Sequence, residues 1–160
     1  MRILGIDPAL NTTGYGVIDA RQNKLSLIEA GIISTSAKRP LSERLNKIHR
    51  CLIKLIADTA PEVIVLEKIY SHYRHPATSY LLGHARGVIC LAVENKGLPL
   101  AEYAATRVKK AIVGRGLASK LQVQKMVASI LSLNILPKYT DVSDALALAI
   151  AHSYIARVKK

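Results

Sequence analysis

Arg2-Ile3-Leu4-Gly5-Ile6-Asp7-Pro8 is an apolar run closed by an acid and a proline. Such a run is a short buried strand, and Asp-Pro ends it abruptly. Gly14–Asp19 sets Tyr15, Val17 and Asp19 against Gly16 and Ile18, a second strand. After the polar turn Arg21-Gln22-Asn23, Lys24–Ser34 is a third strand paired as a meander. Three strands before any helix point away from a strict βαβ repeat. Helical period then begins: from Pro40 to Ala57, Leu41, Leu45, Ile48, Leu52, Leu55 and Ile56 share one face. Pro40 suits a first helical turn, where its missing N–H costs nothing, and Asp58-Thr-Ala-Pro61 breaks the helix. Val63-Ile-Val-Leu66 ending in Glu67 is a central strand covered on both faces. A helical crossover makes it parallel to the first strand. Tyr70–Ala77 is expected as a loop, Thr78–Lys96 as a helix, Leu98–Tyr103 as a fifth strand, and Thr106–Val113, Ser119–Leu131 and Thr140–Ile155 as further helices. The expectation is one mixed α/β domain over residues 1–160, a five-stranded sheet flanked by helices.

The chain of 160 residues is half apolar, which excludes a disordered or fibrous protein. Its 23 Lys and Arg against 11 Asp and Glu give a net charge of +12, so it seeks a polyanion, with nucleic acid first, although a membrane surface or a ribosomal location fits the same arithmetic. Only four residues, Ile3 to Ile6, separate Met1-Arg2 from Asp7, too few for a signal-peptide core, and no apolar run reaches membrane-helix length. Cys51 and Cys90 lie in helix-periodic stretches and read as reduced thiols of a cytoplasmic protein.

Four carboxylates stand where structural economy would not put them. Asp7 ends the first strand and Glu67 the fourth, so both emerge at the carboxyl edge where open α/β sheets place their sites. Asp141 and Asp144, three apart, share one face at the start of the last helix, with Thr140 as an N-cap. Taken singly, each acid also fits a turn or a first helical turn. Together they would repel one another, and divalent cations relieve that repulsion. Oxygen-only ligands favour Mg²⁺, or Mn²⁺ in its place, and two such ions activate water at a phosphodiester. An acidic cluster inside a basic envelope points to a metal-dependent nuclease.

Ile3-Leu-Gly-Ile-Asp-Pro8 and Thr13-Gly-Tyr-Gly-Val-Ile18 resemble the opening of the RuvC-type Holliday-junction resolvases. Leu82-Gly-His-Ala-Arg-Gly-Val88, Glu102-Tyr-Ala-Ala105, Val108-Lys-Lys110 and Val113-Gly114 resemble that family too, and Asp141-Val-Ser-Asp-Ala-Leu-Ala-Leu148 resembles its closing catalytic motif. The matches run in order to about His152. The resemblance implies a ribonuclease H-like fold, a homodimer, and Mg²⁺-dependent resolution of four-way DNA junctions in recombination and repair. It also implies junction-binding and branch-migration helicase partners. It makes Asp7, Glu67, Asp141 and Asp144 the catalytic metal ligands, places Tyr70 at the junction centre, and brings Lys109 and Lys120 to the scissile phosphate or its neighbours. Ala9 stands where the family commonly has Gly, and Tyr70 where it commonly has Phe.

Around Tyr70, the stretch with His72, Tyr73, Arg74, His75 and Tyr80 is basic and aromatic, suited to stacking and phosphate contact rather than zinc. Arg107, Lys109, Lys110, Arg115, Lys120 and Lys125 form a stripe for a DNA backbone. Gly83 and Gly87 share a helical face, either a dimer seam or a contact with the chain's own sheet; the two-fold symmetry of a four-way junction favours the dimer. Gly114-Arg-Gly116 lacks the Lys-Ser/Thr of a nucleotide loop. The rival readings are a non-catalytic junction- or RNA-binding protein, an ATPase or sugar-kinase lobe, which needs a longer chain, and a related nuclease acting on RNA.

Overall fold

A computed structural model of the chain describes residues 1–22, 24–69 and 76–157. In chain order the elements are β1 (Arg2–Asp7), β2 (Thr12–Arg21), β3 (Lys24–Ser34), α1 (Leu41–Thr59), β4 (Val63–Glu67), α2 (Pro76–Asn95), β5 (Leu100–Tyr103), α3 (Ala105–Val113), α4 (Lys120–Ile130) and α5 (Thr140–Arg157). The five strands form one sheet in the order β3-β2-β1-β4-β5. β1, β2 and β3 are antiparallel neighbours, while β4 pairs parallel with both β1 and β5. The expected mixed sheet, strand count and central parallel pair are all present.

Side-chain alternation divides the core into two layers. Ile3, Val63 and Val65 pack with α3, α4 and α5, while Leu4, Ile6, Ile64 and Leu66 pack with α1 and α2. The same parity carries outward along each strand. Asp7 follows Ile3 and Gly5 toward the α5 side, and Glu67 follows Val63 and Val65 toward it. Ile6 stands beside Leu66 in the parallel register, so the two acids leave adjacent strands together.

α5 seats deeply on this face. Its residues from Ala145 to Ala151 are all buried, as a helix apolar on every side requires. The strands beneath lack side chains where the helix crosses. A Cβ on Gly5 would lie 2.0 Å from the Ala145 carbonyl oxygen, and one on Gly14 would lie 2.2 Å from that of Asp141. On Gly16 it would meet Leu146 Cδ2 at 2.4 Å. These glycines are needed for close approach of backbone to backbone.

Several boundaries differ from the sequence reading. α1 continues to Thr59, whose hydroxyl donates to the Leu55 carbonyl at 2.7 Å, and Ala60 closes it with φ of 44°. α2 begins at Pro76, inside the stretch expected as loop, and β5 begins at Leu100 rather than Leu98. Thr140 is the first residue of α5 and not a cap outside it. Gly114, with φ of 85°, is the left-handed close of α3, which accounts for the Gly-Arg-Gly stretch without a ligand. Ala9 is not among the non-glycine residues with positive φ, so its departure from Gly brings no strain. Its N–H and carbonyl both bond the Thr13 hydroxyl, at 3.4 and 2.6 Å. Cys51 and Cys90 are free and partly buried.

The seat of α5 gives a direct stability test. Gly5→Ala should cost about 1–3 kcal/mol through overpacking, lowering Tm by roughly 2–4 °C for each kcal/mol at this chain length. An unchanged melting curve would mean that α5 does not rest on β1 as described.

Candidate active site

The parity of β1 and β4 and the seat of α5 converge on one pocket. Asp7, Glu67 and Asp144 line a cavity of about 260 Å³ with Lys109 from α3 and Lys120 from α4. Asp141 flanks it one helical turn from Asp144, its backbone pressed against Gly14. Four acids from three distant stretches of the sequence thus meet at the carboxyl edge of the sheet.

Their electrostatics record the crowding. The Asp7 carboxyl is pushed up to about 7, first by burial and then by Asp144, Asp141 and Glu67, with Lys120 acting in the opposite sense. Glu67 is raised as well, by desolvation first and Asp144 second, against Lys109, Lys120 and Arg86. Lys120 supplies the nearest positive charge. Its Nζ donates to Asp144 Oδ2 at 3.0 Å, and that hydrogen bond is the main cause of its raised pKa.

Among the described residues, no three Asp, Glu, His or Cys side chains close into a metal-holding group. The Lys120 ammonium lies 3.0 Å from Asp144 Oδ2 and so engages one of the candidate ligands. The donor set itself, four carboxylates with neither sulfur nor imidazole, fits a hard divalent cation such as Mg²⁺ or Mn²⁺.

Of the other expected site residues, Lys109 and Lys120 are in the pocket, whereas Lys110 is exposed on α3 and does not line it. Arg107 stacks over the Tyr103 ring at 5.4 Å. Tyr70 and Arg74, with His72, Tyr73 and His75, lie outside the described residues. His84 bonds the Tyr80 carbonyl through Nδ1 at 2.9 Å. His152 faces the Tyr103 hydroxyl at 2.9 Å, and burial lowers its pKa.

One support was invisible in the sequence. Arg86 on α2 donates through Nη1 to the Glu67 backbone carbonyl at 2.8 Å and pairs through Nη2 with Glu102 at the end of β5. With its side chain only 14% exposed, it ties the ends of β4 and β5 beneath the Glu67 carboxylate. Both residues lie within the quoted motifs, but 16 positions separate them and only the fold pairs them.

A mixed sheet with an acid cluster at the end of its central strands defines a ribonuclease H-like nuclease. The family model described as Crossover junction endodeoxyribonuclease RuvC matches residues 3–152, and the chain belongs to that family. It is 47% identical over 154 residues to the Rhodopirellula baltica protein of that description, covering 96% of this chain and 86% of that protein. The structure of Thermus thermophilus RuvC superposes with a TM-score of 0.92 at 32% identity, covering 99% of this chain and 97% of the other. The same protein in complex with Holliday junction substrate superposes at 0.91 with 30% identity, covering 99% and 96%.

The raised Asp7 pKa has a sign that can be measured. Folding favours the protonated carboxyl, so this group's contribution to stability is present below its unfolded value of 3.8 and is lost as pH rises through about 7. In chelating buffer, Asp7→Asn should match wild type in Tm near pH 4 and exceed it at pH 8 by about 3 °C or more. Equal melting temperatures at pH 8 would show that the acids are not crowded.

Proposed function

We propose that the chain is a single nuclease domain over residues 1–160 that resolves four-way DNA junctions in the cytoplasm during recombination and repair. It does so by symmetric paired nicks, as a homodimer. The observation that carries the reading is the convergence of Asp7, Glu67 and Asp144 with Lys109 and Lys120 in one pocket, flanked by Asp141. Family membership and the similarity to a protein solved with Holliday junction substrate support the choice of DNA. A protein that only binds nucleic acid gains nothing from four acids at its phosphate surface, and the rival binding reading is set aside on that ground.

Asp7, Glu67, Asp141 and Asp144 would hold Mg²⁺, with Mn²⁺ able to replace it, as two ions in each active site. Such ions activate water and stabilise the leaving oxygen of the phosphodiester. Lys109 and Lys120 hold a phosphate in the same pocket, and the Lys120 ammonium that neutralises Asp144 is then the group that meets phosphate charge. Arg86 keeps the end of β4 in place, so that the Glu67 carboxylate arrives from a fixed direction.

Paired cuts require two sites, and an open face of α2 supports the dimer. A Cβ on Gly83 or Gly87 would meet nothing within 4 Å, so these glycines do not pack on the chain's own sheet. Around them Tyr80 and Leu91 are 65% and 55% exposed, which suits a second copy of the chain. Branch-migration helicase proteins are proposed as further partners on family grounds.

A synthetic mobile junction tests the reading. Wild type with Mg²⁺ should give symmetric paired nicks and none in chelator; binding without cutting under both conditions would overturn it. Asp7→Asn, Glu67→Gln, Asp141→Asn and Asp144→Asn should each abolish nicking and leave junction binding intact or tighter, because a ligand and a repulsive charge go together. Loss of binding in step with cutting would mean that the acids serve the fold. For Tyr70, a ring that stacks on a freed base is worth about 1–3 kcal/mol. Tyr70→Ala should therefore slow resolution without changing Tm, while Tyr70→Phe retains most activity. Wild-type cutting by Tyr70→Ala would remove the ring from the junction.

A further inference from the structure

A second basic surface lies on the other face of the sheet, along α1. A groove of about 690 Å³ runs there between the helix and the β3–α1 connection, lined by Arg39, Arg44, Lys47, Arg50 and Lys54 with Glu43 as its only acid. We propose that this groove holds the phosphate backbone of one duplex arm of the junction after the strand has left the active-site pocket. The inference rests on the reading of the chain as a junction nuclease.

Its position follows from the strand register. Asp7 lies opposite Gly14 and Thr12 opposite Ser34, so β3 ends at the edge where the catalytic acids emerge. The end of β3 is two strand spacings from β1, or about 10 Å, and the groove begins at Thr35 and Ser36, which follow it. Arg44 joins the two regions. Its Nε donates to the Thr35 hydroxyl at 3.0 Å and its Nη2 to Asn11 Oδ1 at 2.5 Å, and Asn11 lies in the connection that follows Asp7.

Spacing and charge fit a nucleic-acid strand. Lys47, Arg50 and Lys54 recur at three and four residues, so they lie along one face of α1. Seven residues of helix rise about 10 Å, the axial length of about three phosphates in one strand of duplex DNA. Arg39 is paired with Glu43 at 3.6 Å and Lys54 with Asp58 at 2.6 Å. Lys47 and Arg50 are exposed and enter none of the ion pairs among the described residues. A single small anion would occupy a fraction of this length, whereas a backbone engages all of it. Phosphate contacts of this kind position the substrate and carry no sequence information.

The test uses the full chain, a four-way junction with 20-base-pair arms and chelating buffer, so that binding is read without cutting. Lys47→Ala/Arg50→Ala should bind at least tenfold more weakly than wild type. Its slope of log affinity against log salt should be smaller by about two, since each lost phosphate contact removes about 0.9. Hydroxyl-radical footprints should lose protection of one arm outside the junction centre while central protection remains. Melting temperatures of wild type and variant, measured in parallel, should agree because both side chains are exposed. Wild-type affinity and footprint in the variant would overturn the groove and leave it to another occupant, such as an acidic protein segment. Uniform loss of protection over centre and arms would overturn it as a local arm contact. Failure of wild type itself to prefer the junction over linear duplex would instead overturn the functional reading beneath it.

Discussion

The close seat of α5 on β1 and β2 is the contact from which the site is built. Gly5, Gly14 and Gly16 leave no side chains in its path, and the carbonyls of Asp141 and Ala145 occupy the space a Cβ would take. Small residues on the helix itself, Ala145 and Ala149, meet Gly5 and complete the fit, and both are buried. Because the first turn of α5 is pinned at Gly14, Asp141 and Asp144 are delivered beside the ends of β1 and β4. A wider spacing of helix and sheet would leave each acid an ordinary surface residue.

Delivering four acids to one place creates an electrostatic problem that the rest of the chain answers. Burial and mutual repulsion raise Asp7 and Glu67 together. Among the described residues, three cations stand round the cluster at different removes: Lys120 on Asp144, Lys109 in the pocket wall, and Arg86 on the Glu67 backbone. The same positive groups that make the cluster tolerable suit it to a phosphodiester. The net charge of +12 is therefore unevenly used, part at the pocket and part along α1.

Strand parity is what made the site readable in the sequence. Asp7 and Glu67 each close a continuous apolar run, and a parallel pairing through one crossover places them side by side; that inference needs only local pattern and topology. The pair Asp141 and Asp144 was legible as one helical face. The exchange of Lys120 with Asp144, the tie from Arg86 to Glu102 and the groove along α1 were not, because each joins residues whose contact depends on how helices lie on the sheet. Boundaries erred at ends set by single hydrogen bonds or caps, as at Thr59 and Ala60. Gly83 and Gly87 show the limit of pattern most clearly, since their spacing fits an internal or an external contact equally, and only the open space around them argues against the internal one.

Under the proposed function, these four carboxylates together hold the divalent cations of one active site. Anomalous diffraction from crystals of the wild-type chain grown with Mn²⁺ addresses it directly. Manganese peaks are expected within coordination distance of oxygens from Asp7, Glu67, Asp141 and Asp144, with the Lys120 ammonium withdrawn from Asp144. Manganese bound elsewhere, or none at this edge while Lys120 stays on Asp144, would contradict it.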